Sequence, residues 1–515
     1  MQSDRPVQND FEQKTLPFAL SRYAAEQYDD ALRIAVQLDE SVPGNTEILN
    51  FAGACAYKLG LRAIAEEYWR RAIEQSPDSA DVANNLGVVL QDTSRFDAAE
   101  RMFRRALDTY SEHMDATRNL GRLLYQFKCF PEAEVLFRRL IAHCASPDER
   151  AFEDLGHLLT DLKRPLEAEV IFRRGIEIHP GSARLRFSLS LLLLRLGRWR
   201  EAWPYFEARS DASFGGSLAK APLVPFPQWQ GEPIQGKSLL IWFEQGFGDQ
   251  IQIIRYVPIL KALGVRRITV VCQPPLRSLF ESIAGADAVI TPEFLFKRLD
   301  HDYWTYIFSL PINLGATLET IPVKFPYLRA PKERIRSWKT RLPRTGLKVG
   351  LVWKGGTANP RDPNRSLPNL TALAPLWRAS GVTFVSLQKG QGEAEAADAP
   401  PGQSILNLGS QIQDFADAAA IITQLDLVIS VDTAMAHLAG ALGKSCWVLL
   451  PGTQTDWRWM DVRTDSPWYP GIVKLFRQDV NALDWTDVIE EVTLCLMEFQ
   501  SRRTERPESR RGAGR

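Results

Sequence analysis

The sequence predicts an α-solenoid followed by two parallel α/β lobes, and three observations carry that expectation. An alanine returns with a period near 34 residues through the first ~210 positions. A large aromatic follows that alanine four residues later in five of six units. Beyond residue 238, apolar runs of strand length alternate with helical stretches. A chain of 515 residues is too long for one core, so several domains are expected.

The repeat comes first. Ala31, Ala65, Ala99, Ala133, Ala168 and Ala202 are spaced 34, 34, 34, 35 and 34 apart. Trp69, Phe103, Phe137, Phe172 and Phe206 follow, with Ala35 in the first unit. Gly53, Gly87, Gly121 and Gly156 keep the same step, and Pro43, Pro77 and Pro180 close three units. A small residue lets two short helices approach, and the aromatic four positions on lies on the same helix face and fills the gap. One hairpin buries too little surface alone, so neighbours must stack. About six hairpins are expected over residues 12–212. Such an array offers a groove for a peptide or protein, or else it packs on its own second domain or self-associates. The last hairpin, around Trp199 to Phe206, runs nearly straight into the second module, so the array is expected to dock rigidly on the first lobe rather than hang from a loose tether.

The texture changes near residue 213, where a Gly-, Pro- and Ser-rich stretch reads as a linker. SLLIWF (238–243), RITVVC (267–272), ADAVI, KVGLVW (348–353), VTFVSLQ (382–388), LDLVISV (425–431) and SCWVLLP (445–451) are the strand candidates. Buried strands alternating with helices mean parallel sheets covered on both faces. The Pro-rich, charged stretch 321–346 interrupts the alternation. It divides two Rossmann-like lobes, 222–335 and 345–498, leaving 499–515 as a disordered basic tail. Ligands in such folds bind beyond the carboxyl ends of the strands, here in the cleft between lobes.

Four strand-end motifs carry candidate chemistry. Glu244-Gln245-Gly246-Phe247-Gly248-Asp249 follows the first strand. Gly246 and Gly248 allow close backbone approach, and Asp249 is either a cleft group or a simple helix N-cap. Asp432-Thr433-Ala434-Met435-Ala436-His437 follows a buried strand, and a helix N-terminus with a hydroxyl and small residues suits a diphosphate. Asp432 would repel phosphate, so capping or a sugar hydroxyl suits it better. Thr433 and His437 lie four apart on one helix face, toward the cleft, although a lone histidine there is also a packing residue. Lys354-Gly355-Gly356, with Arg365 nearby, offers cations to phosphate or only solvated loop charges. Gln388-Lys389-Gly390 is a similar polar turn. Asp300-His301-Asp302 resembles a metal-holding D-x-D but is read as a chance match.

Composition excludes little. Lys+Arg and Asp+Glu both number 62, so nothing global points to nucleic acid or membrane. No apolar run reaches ~18 residues, which argues against a spanning helix. The sequence MQSDRPVQND has no apolar signal region, and the six cysteines are scattered without C-x-x-C, as in reduced thiols. A cytoplasmic protein is expected. The six histidines form no H-x-x-x-H pair, and no metal site is expected.

The period and the small-then-aromatic pairing resemble the tetratricopeptide repeat. EQGFGDQ at 244–250, SLP-x-x-LG at 309–315 and VISVDTAMAHLAGALGK at 428–444 resemble the heptosyltransferase-like, glycosyltransferase family 9 clan with its GT-B fold. Asp456-Trp457-Arg458-Trp459, Ser466-Pro467-Trp468-Tyr469-Pro470 and Leu475-Phe476-Arg477-Gln478 are similar to a bacterial subgroup with repeats in front. The resemblance implies a metal-independent, inverting transfer from a nucleotide sugar, with no cofactor. It makes Asp249 the general base, ionised at its helix N-terminus and weakened as a base by it. It places Lys354 at phosphate, and Thr433, Ala434 and His437 in the donor-binding turn; the strand-end motifs themselves add Gly246, Gly248, Gln388 and Asp432 to the expected nucleotide-sugar set. Ala434 stands where glycine is common, and Phe247 replaces a small aliphatic. Repeats ahead of GT-B lobes resemble protein O-glycosyltransferases of the O-GlcNAc type and flagellin glycosyltransferases. The expected acceptor is therefore a protein Ser or Thr hydroxyl recruited by the repeats. A glycan or lipid-linked saccharide acceptor, and a non-catalytic scaffold with degenerate lobes, remain the alternatives.

Overall fold

The computed structural model describes residues 15–142, 147–211, 213, 219–294, 300–357, 359 and 362–504. The chain forms two compact units, Met1–Leu158 and Leu159–Arg515.

The first unit is built of antiparallel helix pairs. Leu16–Ala24 pairs with Tyr28–Ser41, Thr46–Lys58 with Arg62–Gln75, Ala80–Asp92 with Phe96–Thr109, and Met114–Gln126 with Phe130–Ala142. The repeated alanines are fully buried. Their partner glycines explain the pattern: a Cβ on Gly53, Gly87 or Gly121 would stand 2.6, 2.5 or 2.6 Å from the ring of Trp69, Phe103 or Phe137. The aromatic of the second helix thus seats on the glycine of the first. A left-handed residue ends the first helix of every pair, at Glu26, Gly60, Ser94, Lys128, Lys163 and Gly197. Glycine fills only two of these six positions, so the turn's hydrogen bonds hold the rest in a costly conformation. Asn45 and Ser79 cap the following helices through their side chains.

Glu149–Asp161 and Pro165–Ile178 are the next two helices in the chain, and Ala183–Arg195 with Trp199–Phe206 makes the sixth hairpin. That hairpin lies within the second unit and touches both lobes. Trp199 stacks on Trp468 with ring centres 5.1 Å apart, and Trp203 Nε1 donates to the Ala316 carbonyl at 2.8 Å. Phe206 packs on Phe308 and Trp457. Arg195 donates to the Thr455 carbonyl and pairs with Asp461 at 3.1 Å. The hairpin is therefore wedged between the lobes rather than docked on the first alone.

The first lobe is a four-stranded parallel sheet ordered β3-β2-β1-β4, with β1 Ser238–Trp242, β2 Arg267–Val271, β3 Ala288–Ile290 and β4 Tyr303–Tyr306. The second has six parallel strands ordered β10-β9-β8-β5-β6-β7. These are β5 Leu347–Val352, β6 Val382–Ser386, β7 Leu406–Asn407, β8 Leu427–Val431, β9 Cys446–Leu450 and β10 Val473–Arg477. Strands β4, β7 and β10 escaped the sequence reading because they are short or carry aromatics and charges instead of an aliphatic run. Strand order reverses beside β1 in the first sheet and between β5 and β8 in the second, which puts the switch points at the ends of those strands. Leu351, Phe384, Leu427, Ile429 and Leu449 pack under Val488, Ile489, Val492 and Leu496 of the helix Thr486–Thr504. This helix runs six residues into the stretch expected to be a disordered tail. Phe499 packs on Trp447, Arg503 pairs with Asp426 at 2.5 Å, and Gln500 donates to the Ser380 carbonyl. The tail beyond Thr504 lies outside the described residues.

Candidate active site

The chain leaves β1 through Gln245, which takes a left-handed conformation, and enters the helix Phe247–Ile253. Asp249 turns back so that its Oδ2 accepts the Gly246 N–H at 2.8 Å, closing the first turn. Before the turn, Glu244 is buried against Arg209, in the turn Glu207–Ser210 that follows the sixth hairpin, by two hydrogen bonds of 2.9 and 3.0 Å. The motif is thus held from the turn Glu207–Ser210 as well as from its own sheet.

The chain leaves β8 at Val431 and enters the helix Ala434–Ala441 with Thr433 in the N-cap position. The Thr433 hydroxyl does not cap; it lies 3.0 Å from the Ser430 hydroxyl. The two helix starts meet. A Cβ on Gly248 would stand 2.9 Å from His437 Cδ2 and 3.3 Å from Ala434 Cα. Phe247 packs on Phe415 with ring centres 5.0 Å apart. Gly246, Gly248, Asp249, Asp432, Thr433, Ala434 and His437 are therefore brought to one place.

His437 is not presented openly to the cleft. It is buried, its Nδ1 lies 2.9 Å from the Tyr469 hydroxyl, and its ring stacks on Trp459 at 5.2 Å. Burial, reinforced by Arg458, pushes its pKa down to about 3, so it is neutral at physiological pH.

Arg458 is the residue that the motifs alone did not mark. Its guanidinium is 6% exposed and lies near the rings of Trp457 and Phe308, 4.9 and 5.2 Å from their centres. Nε donates to Gln252 Oε1 at 2.6 Å, Nη1 to both Asp456 oxygens at 2.8 Å, and Nη2 to Asp249 Oδ1. The only hint in the sequence was the Asp-Trp-Arg-Trp run, which says nothing of the partner 209 positions upstream. Burial pushes the Asp249 carboxyl above its ordinary range, with Asp456 adding to the rise and Arg458 opposing it. A helix N-terminus alone therefore does not fix its charge. Asp432 is pushed up to about 6 by burial and by Asp456, against Arg365 and Arg458. Arg365 also donates to the Asp432 carbonyl at 2.9 Å, which ties the loop after β5 to the end of β8.

Lys354 and Gln388 make their own contacts within the second lobe. Lys354 Nζ is 2.9 Å from Glu395, whose other oxygen accepts the Trp353 indole N–H and the Leu370 N–H. Gln388 accepts from the Trp353 and Lys354 backbone and donates to the Lys354 and Gln391 carbonyls, so all its polar capacity goes to joining the ends of β5 and β6. Asp302 accepts the Ser238 N–H and hydroxyl at 2.8 Å, at the amino ends of β1 and β4 and opposite the site. His301 beside it is buried against Phe226.

These contacts describe a helical-repeat protein whose two parallel α/β lobes close around a shared acidic-cationic cluster. Residues 16–80 and 85–149 match the tetratricopeptide repeat family, and residues 370–449 match glycosyltransferase family 9 (heptosyltransferase). The chain thus carries tetratricopeptide repeats and a glycosyltransferase family 9 domain, and it is similar to Protein FlbA of Caulobacter vibrioides. The two are 30% identical over 353 residues, 62% of this chain and 56% of FlbA, so the chain spans little more than half of that relative. Among solved structures, the C-terminal part of a repeat-containing protein from Cytophaga hutchinsonii is similar at 18% identity, with 38% of this chain and 77% of that one covered and a TM-score of 0.33. A thermophilic repeat protein of Thermus thermophilus is similar at 19% identity, with 35% and 97% covered and a TM-score of 0.30. No helix among the described residues is long and apolar enough to cross a membrane.

Proposed function

We propose that the lobes form an inverting, metal-independent glycosyltransferase that moves a sugar from a nucleotide sugar to a hydroxyl acceptor. One observation carries the reading. The turn after β1 with Asp249 meets the helix start after β8, and that helix start lies inside the segment matching glycosyltransferase family 9. In this reading Asp249 takes the proton of the acceptor hydroxyl, whose oxygen attacks the anomeric carbon. The bond from that carbon to the diphosphate breaks, and the diphosphate leaves with the electron pair. The start of the helix Ala434–Ala441 supplies backbone N–H groups for the leaving charge. Lys354 serves phosphate only by leaving Glu395, so Arg365, which reaches the end of β8, is the nearer cation. The acceptor is a protein Ser or Thr hydroxyl brought by the repeats, and the site of action is the cytoplasm.

The test begins with thermal shift against UDP-, GDP-, ADP- and CMP-sugars, followed by transfer and donor hydrolysis with the donor that binds. Asp249→Asn is expected to retain donor binding and lose transfer by about 10²–10⁴-fold. Wild-type rates in that variant remove the base assignment, and absence of any donor shift favours a scaffold with degenerate lobes. Transfer to a saccharide with no protein acceptor favours the glycan reading.

A further inference from the structure

We propose that Arg458 positions Asp249 for proton abstraction, holding its carboxylate across the cleft. This rests on the reading of Asp249 as the general base and names the residue that makes the reading work.

The guanidinium cannot turn freely. Asp456 holds Nη1 with both oxygens, and Asp456 itself anchors the turn by accepting the Arg458 N–H at 3.0 Å. Gln252 holds Nε from the helix Phe247–Ile253, three residues after Asp249 and on the same helix face. Phe308 lies against the group from the first lobe and Trp457 from the second. With those contacts made, Nη2 is aimed at Asp249 Oδ1, while the Gly246 N–H holds Oδ2. Both oxygens are thus fixed from opposite sides, and a planar fork does this where a lysine ammonium does not.

The charges around Asp249 give the contact its chemical purpose. Asp456 faces it from the cap position before the turn Trp457–Trp459, and Asp432 joins the cluster from the end of β8. Arg365 reaches in from the loop after β5, His437 on the adjoining helix is neutral, and Glu244 before the turn is neutralised by Arg209. Three carboxylates therefore share two arginines, and Arg458 alone of the two bonds Asp249. Removing it leaves Asp249 buried beside negative charge, where it takes up a proton and ceases to be a base.

The test is the pH profile of kcat, with donor KM, for the full chain and three variants. Arg458→Met is expected to move the acidic limb upward by about 1–3 pH units with little change in donor KM. Arg458→Lys keeps the charge and loses the fork, so its limb stays while its plateau falls. Asp456→Asn removes negative charge facing Asp249, so its limb moves downward. General structural damage does not produce limbs that move in opposite directions. Should Arg458→Met fail to fold, the lysine and Asp456→Asn variants decide. An unmoved limb in Asp456→Asn, or a higher donor KM with an unmoved limb in either arginine variant, overturns the proposal, the second outcome making Arg458 a diphosphate ligand. A wild-type chain without transfer, or an active Asp249→Asn, overturns the base reading beneath it. An inactive Asp249→Asn with unmoved limbs overturns the Arg458 role alone.

Discussion

Gly248 matters through the side chain it lacks. Its missing Cβ leaves the space where the starts of two helices from different lobes touch, and the nearest atoms include the Ala434 backbone, which cannot swing away. Gly248→Ala is expected to cost about 1–3 kcal/mol by overpacking and to lower both Tm and kcat. His437 supplies a second test at this scale. The unfolded chain's histidine binds a proton near 6.5 and the folded one only near 3. Between those values the unfolded state holds the extra proton, so stability falls as pH drops from 6.5 toward 3. This one group contributes a slope of up to about 1.4 kcal/mol per pH unit. His437→Gln is expected to flatten the acidic side of a plot of Tm against pH; an unchanged slope shows that the histidine is already protonated in the fold. The candidate residues Gly248, Asp249, Thr433 and His437 were legible because each follows a strand run directly, and strand ends in parallel sheets face one cleft. Arg458 was not, since its partners come from the other lobe and nothing local to Asp-Trp-Arg-Trp specifies them.

At the scale of elements, the sixth hairpin and the turn Glu207–Ser210 after it brace the two lobes. Arg209 and Glu244 are both fully buried, and Glu244 also accepts the Phe308 N–H at 2.9 Å. Breaking such a pair from one side leaves a buried charge without its counter-charge, which costs about 3–5 kcal/mol. Arg209→Met is expected to lose stability of that order in urea unfolding, and the double variant with Glu244→Gln is expected to recover part of it. Additive losses instead show that the two residues act independently. The hairpin's helices were legible from the alanine period. The wedge was not, because Trp199, Trp203 and Phe206 read equally well as ordinary repeat packing until Trp468, Ala316 and Phe308 are seen against them.

At the scale of the whole molecule, residues from Leu159 onward form one compact unit that includes this hairpin. A chain beginning at Pro147 keeps the fifth hairpin whole and is expected to fold and bind a donor. A chain beginning at residue 213 exposes Trp457, Trp468 and Phe308 and leaves Glu244 without its cation, so it is expected to be insoluble or molten by circular dichroism. Equal folding of the two shows that the hairpin is dispensable. The same comparison shows how repeat-dependent recruitment should be tested: removing all six hairpins confounds recruitment with unfolding, and removing four does not.

The period of the solenoid, the succession of parallel strands and the strand ends where candidate chemistry lies are all written along the chain. They follow from local patterns: a glycine facing an aromatic, an apolar run of strand length, a glycine turn opening a helix. Contacts between distant segments settle the rest. They hold Asp249 against Arg458, pack His437, spend Lys354 and Gln388 on their own lobe, and make the last hairpin part of the two-lobed body. Those outcomes depend on which groups compete for the same buried charge across hundreds of residues, and no spacing along the chain records that competition.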